Sequence, residues 1–415
     1  MDIFYFFQAS TVSSIIEAMI YQVMMKKVGV LLKILHTADW HLGKIVNNVY
    51  MTEDQRYILE QFLTIVEEQQ PDAIIIAGDL YDRAIPPKQA VELLNDTLTT
   101  IINDFNIPVL AISGNHDSPD RLEFGSQLFR KQQLYLDTKL SKEYQAVTLY
   151  DGGGPIHFHL IPYVEPAEVA YRFNDHEVRS HQQAAEKLIK YITEQYDMDE
   201  RHIWIGHAFL AGGMESESEE RLSMIGGSPY IDTELFKPFT YVALGHLHQS
   251  QRVGAEKIRY SGSILKYSFS EVTHNKSVTI VDINEKGELE IDRVPLRPMR
   301  DFERIEGYFD ELMRGDAADH PESYLHVRLL DDGQLIDPMG KLRKLYPNIL
   351  HLERKLSSQP KQSEDIQKMK ERQRLSPATL FASFYKEIKE EPISDHRKKL
   401  VEDSIETLKH QERGQ

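Results

Sequence analysis

Seven side chains in this chain could share metal ions: Asp39, His41, Asp79, Asn115, His207, His246 and His248. Each stands just past a short apolar run. Ile34-Leu35 leads to Asp39 and His41, and Ala73 to Ala77 leads through Gly78 to Asp79. Val109 to Ile112 leads through Ser113-Gly114 to Asn115-His116-Asp117, Ile203 to Ile205 leads through Gly206 to His207, and Tyr241 to Leu244 leads through Gly245 to His246-Leu247-His248. Oxygen and imidazole donors without thiolate suit hard or borderline divalent cations. Asp39 and His41 are two apart on one loop, so both can turn to one ion. Asp79 follows a glycine, which lets its carboxylate reach between two ions. Seven donors are about what two ions need if each keeps room for water and substrate. Ions about 3.5–4 Å apart activate water at neutral pH and clamp a phosphoryl group. The donor set favours Mn²⁺ over zinc, and Mg²⁺ accepts fewer imidazoles. His116 adjoins a ligand after a glycine turn, so it can face substrate and protonate a leaving oxygen. Asp117 is placed to fix the tautomer of that ring.

Taken singly these signals are weak. An Asp after an apolar strand is usually a loop or cap residue, and Gly114-Asn115-His116-Asp117 could be only a turn. His157-Phe158-His159 repeats the His-x-His spacing inside a strand pattern and reads as structural, and His36 reads as packed beneath a sheet. The conjunction carries the argument, because five strand ends bear compatible donors.

What must position them is an α/β framework. Apolar runs bounded by small residues read as buried strands, and residues just past the ends of such strands share one crevice. From Lys33 to about Pro295 strands and helices alternate. Thr52 to Gln69 has helical spacing, with Ile58, Leu59, Phe62, Leu63 and Val66 on one face until Pro71 ends it. Pro86-Pro87 opens a second helix, and His181 to Tyr196 forms another. The texture is βαβ with right-handed crossovers. Ile258 to Ser263 and Ser277 to Ile283 read as strands of a second sheet.

These patterns set domain boundaries. Residues 33–295 form the catalytic domain, and residues 296–356 a small βαβαβ unit. Residues 357–377 are a polar linker. Residues 378–415 form two helical segments divided by Pro392, whose sparse apolar stripes need a partner or the body of the protein to cover them. Residues 1–32 read as an extension outside the fold, consistent with an upstream start codon. Asp2 and Glu17 disfavour a signal peptide there, and the stretch is too polar and short for a membrane span.

Composition narrows the classes. The 415 residues have 41% hydrophobic content and allow two or three domains. The chain has no cysteine, which excludes disulfides and thiolate zinc sites and fits a reducing cytoplasm. A net charge of −17 argues against a protein that coats nucleic acid by itself. Bound cations would reverse the sign inside a site of carboxylates.

At these residues the chain resembles the calcineurin-like metallophosphoesterases, whose pattern runs D-x-H, G-D, G-N-H-D/E, G-H and G-H-x-H. His36 to Lys44, Gly78 to Arg83 with Pro86-Pro87, and Ala243 to His248 with Tyr260-Ser261-Gly262-Ser263 are similar to a nuclease branch of that family. The resemblance runs from Lys33 to about Leu352. It implies an α/β, four-layer metallophosphoesterase β-sandwich flanked by helices, with a βαβαβ capping domain and a helical C-terminal tail. It also implies Mn²⁺-dependent DNA exonuclease and endonuclease activity. A coiled-coil ATPase partner would bind the tail, and a dimer would sit within a two-plus-two assembly. By resemblance Asp39, His41 and His248 hold one ion, Asn115, His207 and His246 the other, and Asp79 bridges; His116 serves the transition state. A small-molecule or phosphoprotein phosphatase is the competing reading, helped by Asp82-Arg83. The capping unit and the amphipathic tail count against it.

Overall fold

The computed structural model describes residues 31–141, 144–219, 230–333, 335–355, 381, 385 and 393–401. The N-terminal extension, the linker and most of the tail read from the sequence lie outside the described residues. The chain divides into two compact units, one of residues 1–329 and 335–353, the other of residues 330–334 and 354–415. In the second unit residues 395–401 are helical. Among the described residues no helix is long and apolar enough to cross a membrane.

The first unit is built on two six-stranded mixed sheets. Its strands begin with β1 (Leu32–Thr37), the hairpin β2 (Ile45–Val46) and β3 (Val49–Tyr50), β4 (Ala73–Ala77), β5 (Val109–Ile112) and β6 (Leu134–Asp137). Then come β7 (Val147–Asp151), β8 (Gly154–Ile161), β9 (Arg201–His207), β10 (Tyr241–Gly245), β11 (Gln251–Val253) and β12 (Ala255–Tyr260). Next are β13 (Ser277–Ile283) and β14 (Leu289–Pro295). The first sheet runs β14-β13-β1-β4-β5-β6 and the second β11-β12-β10-β9-β8-β7. β13 thus lies in the first sheet, antiparallel to β1, and not in the second as its sequence suggested. After β12 the chain crosses back between the sheets, and an apolar strand carries no mark of which sheet it will join.

Ile34, Ile75 and Ile112 of one sheet meet Phe158, Ile205 and Ala243 of the other in a buried apolar layer. The opposite face of the first sheet packs on helix α1 (Thr52–Gln69) and helix α2 (Lys88–Thr99) through Phe62, Val66 and Leu94. The outer face of the second packs on α3 (Pro166–Phe173) and α4 (His181–Gln195) through Val169, Leu188 and Ile192. Strands buried on both faces explain the continuous apolar runs. The result is four layers, helix–sheet–sheet–helix. His36 lies between the sheets with Nδ1 3.0 Å from the Tyr241 hydroxyl.

After β14 comes a three-stranded sheet in the order of β15 (Phe302–Gly307), β16 (Tyr324–Leu329) and β17 (Ile349–Arg354). One-turn helices α5 (Phe309–Leu312) and α6 (Pro338–Leu342) connect its strands. Phe302 and Tyr324 join the core that holds α1. The Tyr324 hydroxyl donates to Asp54 at 2.8 Å, and Arg300 clamps the same carboxylate at 2.9 Å through both Nε and Nη2.

Candidate metal centre

The strands β1, β4 and β5 are parallel neighbours, as are β9 and β10. Their C-terminal ends therefore point the same way, and the five ligand loops leave from one rim. The first two loops are laced together. Asp39 N–H donates to Gly78 O at 3.1 Å and His41 N–H to Asp79 O at 2.9 Å. Gln55 on α1 holds them from below, accepting from Gly43 N–H at 2.9 Å and donating to His41 O at 2.7 Å. The Tyr267 hydroxyl donates to Trp40 O at 2.5 Å.

This lacing forces unusual backbone. Asp39 (φ 53°), His41 (φ 46°), Asp79 (φ 52°) and His246 (φ 102°) all occupy positive φ without being glycine. Such conformations cost on the order of 1–3 kcal/mol each and persist where the surroundings over-determine them. Gly245 serves close approach: a Cβ there would stand 1.9 Å from Ala77 O. Only its absence lets β10 close on β4.

All seven expected ligands meet at this rim. His41 Nε2 lies 3.0 Å from His248 Nε2 and 3.5 Å from Asp79 Oδ2. The same Asp79 oxygen lies 3.4 Å from His207 Nε2, which is 3.0 Å from Asn115 Oδ1. Asp39 Oδ1 accepts from His246 N–H at 2.9 Å, and the His246 ring stands edge-on to His207 with centroids 5.4 Å apart. Asp79 Oδ2 is therefore in reach of two imidazole groups at once. His207 Nδ1 donates to Ala77 O at 2.9 Å, which turns Nε2 toward Asp79 and Asn115. Metal-binding histidines need such an acceptor on the ring nitrogen that faces away from the ion.

The site is buried and electrostatically tense. Burial pushes the Asp39 carboxyl up to about 7. Burial and the charge of Asp79 do the same to Asp117, also to about 7. For Asp79 burial works upward, but His207 and His41 beside it hold its carboxyl well below the usual range. His207 is raised to about 9: burial opposes its charge, and the carboxylates of Asp79 and Asp39 overcome that. Burial keeps His41 and His246 far below the ordinary imidazole range, so these rings stay neutral. Asp39 Oδ2 is buried without a hydrogen-bond partner. Buried carboxylates, the neutral rings of His41 and His246 and one carboxylate oxygen left without a hydrogen-bond partner form a donor set that fits divalent cations.

The surroundings of His116 differ from the sequence expectation. Its backbone N–H donates to Asp79 Oδ1 at 3.0 Å, and its ring Nδ1 lies 2.9 Å from the carbonyl oxygen of Asp82. Asp117 instead accepts from the N–H groups of Leu80 (3.1 Å), Tyr81 (2.9 Å) and Gly114 (2.9 Å). The carbonyl of Asp82 therefore takes the part expected of Asp117, and Asp117 ties two ligand loops together. A carboxylate facing three backbone donors is drawn to them before it can serve a neighbouring ring.

Sequence reasoning passed over Asp82 as a site residue. Its carboxylate lies 3.7 Å from His41 Nδ1 and 2.7 Å from Lys44 Nζ. The signal was its position three residues past Asp79 on the same loop. By contrast, His157 is satisfied locally, by the Thr148 hydroxyl at 2.9 Å and Glu200 at 2.7 Å.

Residues 32–250 match the family described as calcineurin-like phosphoesterase, and residues 298–389 one described as type 5 capsule protein repressor C-terminal domain. The chain is 38% identical to SbcD of the nuclease SbcCD of Staphylococcus saprophyticus over 383 residues, 91% of this chain and 98% of that protein. It is 37% identical to SbcD of the nuclease SbcCD of Staphylococcus epidermidis over 364 residues, 88% of this chain and 95% of that protein.

Proposed function

This chain belongs to the calcineurin-like phosphoesterases and, within them, to the SbcD family, and on that premise we propose that it is a Mn²⁺-dependent DNA exonuclease and endonuclease. It is a hydrolase that cuts phosphodiesters. The nuclease works within an SbcCD-type complex that processes DNA ends and hairpins in repair and recombination in the cytoplasm. The observation that best supports this reading is Asp79 Oδ2, set between His41 Nε2 at 3.5 Å and His207 Nε2 at 3.4 Å. Asp39, His41 and His248 would hold one ion, Asn115, His207 and His246 the other, and Asp79 both. Two divalent ions held there would supply Lewis-acid activation of the phosphoryl group and of water. The chain's own work is to orient. His116 N–H pins Asp79, and the Asp82 carbonyl pins the His116 ring at the mouth of the site. From there His116 meets the leaving oxygen as general acid.

The partner is an SbcC-like coiled-coil ATPase, bound by residues 378–415, with a homodimer inside a heterotetramer. That partner would hold much of the DNA, since a chain of net charge −17 binds polyanions weakly and salt-sensitively on its own. The test offers Mn²⁺ with linear DNA, hairpin DNA and a generic phosphomonoester in parallel. Cleavage of both DNAs is expected. His116→Ala should keep its metal while slowing cleavage by about 10²–10⁴-fold. Turnover of the phosphomonoester alone would instead support a small-molecule or phosphoprotein phosphatase.

A further inference from the structure

Behind His248 lies a buried ion pair that neither the ligand set nor the general acid uses. Glu271 and Lys276 are 0% and 6% exposed. Removing two charges from water costs several kcal/mol each, so such a pair needs complete hydrogen bonding to survive. Here it is complete. Lys276 Nζ donates to Glu271 Oε2, to the Ser263 hydroxyl at 2.7 Å and to His248 O at 2.8 Å. Glu271 Oε1 accepts from Tyr267 N–H at 3.1 Å and from the Ser218 hydroxyl. His248 Nδ1 lies 3.3 Å from that Glu271 oxygen and 3.1 Å from Ser218 Oγ, whose own proton goes to Glu271. Glu219 accepts from the backbone N–H of His248 at 2.7 Å. His248 is thus held at its N–H, its carbonyl and its ring Nδ1, while Nε2 faces His41.

We propose that Glu271 is a positioning residue for His248: it draws the Nδ1 proton directly and through the Ser218 hydroxyl that it orients, fixes the tautomer that leaves an Nε2 lone pair, and so sets the affinity of one of the two ion sites. Lys276 holds Glu271 in place. The inference rests on the reading of a paired-ion centre above and deepens it, because it makes the two sites unequal. On the other side His207 Nδ1 meets a neutral carbonyl, that of Ala77. A carboxylate raises imidazole basicity more than a neutral acceptor does.

The experiment titrates Mn²⁺ into the full chain by calorimetry, followed by electron paramagnetic resonance. The native chain takes up a coupled pair. Glu271→Gln keeps the isosteric acceptor and loses the charge. It should bind one ion normally and the other about 10–100-fold more weakly. At limiting Mn²⁺ its spectrum should be that of an isolated ion, and excess Mn²⁺ should restore DNA cleavage. Glu271→Gln leaves Lys276 buried and unpaired, so Glu271→Gln with Lys276→Met is run beside it. This double variant should unfold at the native temperature and show the same single-site loss. A folded variant that takes both ions at native affinity overturns the proposal, as does one that loses both equally. A native chain that takes up fewer than two ions overturns the underlying reading itself, and this inference with it.

Discussion

His207 and His248 close the site from opposite sides, and they are turned by different means. His207 is oriented by backbone: its Nδ1 donates to Ala77 O at the end of β4, so the packing of two sheets sets the ring. His248 is oriented by side chains, Glu271 and Ser218, both drawn from loops outside the central strands. A backbone acceptor cannot be removed without moving the fold. A side-chain acceptor can be altered together with the buried cation that pairs it, without moving the strands. One half of the centre is therefore as rigid as the sandwich, while the other can be tuned without disturbing it.

The largest effect should come from the residue that belongs to both halves. Asp79→Asn removes the carboxylate that reaches His41 and His207 together. It should weaken both ions and cut DNA cleavage by about 10³-fold or more, the upper end for losing one preorganised electrostatic group. Calorimetry that finds one site intact would show that Asp79 serves a single half.

Gly245→Ala probes the half that the sheets hold. The added Cβ would stand 1.9 Å from Ala77 O, the atom that orients His207, and 2.9 Å from His207 Nδ1. Overpacking of this kind costs about 1–3 kcal/mol. Urea unfolding should show that loss, and Mn²⁺ excess should not restore cleavage, because the displaced acceptor is backbone. Recovery in excess metal, as expected for Glu271→Gln, would erase the distinction between the halves.

The contrast also explains what the sequence could tell. The seven ligand candidates were legible because each follows an apolar run bounded by small residues, which reads as a buried strand, and parallel strands deliver their ends to one rim. Helix α1 was legible from the spacing of Ile58, Leu59, Phe62 and Val66. Glu271 and Lys276 were not, because a charged residue reads as solvated until the fold buries it and supplies its partner. The same limit misplaced β13, whose Val278, Val281 and Ile283 suit either sheet. It also assigned Asp117 to the His116 ring, since nothing in the sequence shows three backbone N–H groups converging on that carboxylate.

The smallest effect should come from furthest out on the side-chain-held half. Phe269 sits two residues before Glu271 on a single 3-10 turn. Its ring packs on Phe302 and His326 of the three-stranded sheet, with centroids 5.2 and 5.3 Å away. That turn therefore has one end in the small sheet and the other on His248. Phe269→Ala should loosen the turn and weaken the His248-side ion by about 0.5–1 kcal/mol, some two- to fivefold, the scale of coupling carried through packed side chains. A double-mutant cycle with Glu271→Gln decides whether the effect travels along the turn. If it does, Phe269→Ala should cost little once Glu271 is already Gln. Full additivity would mean that the small sheet and the metal centre share a neighbour without sharing a mechanism.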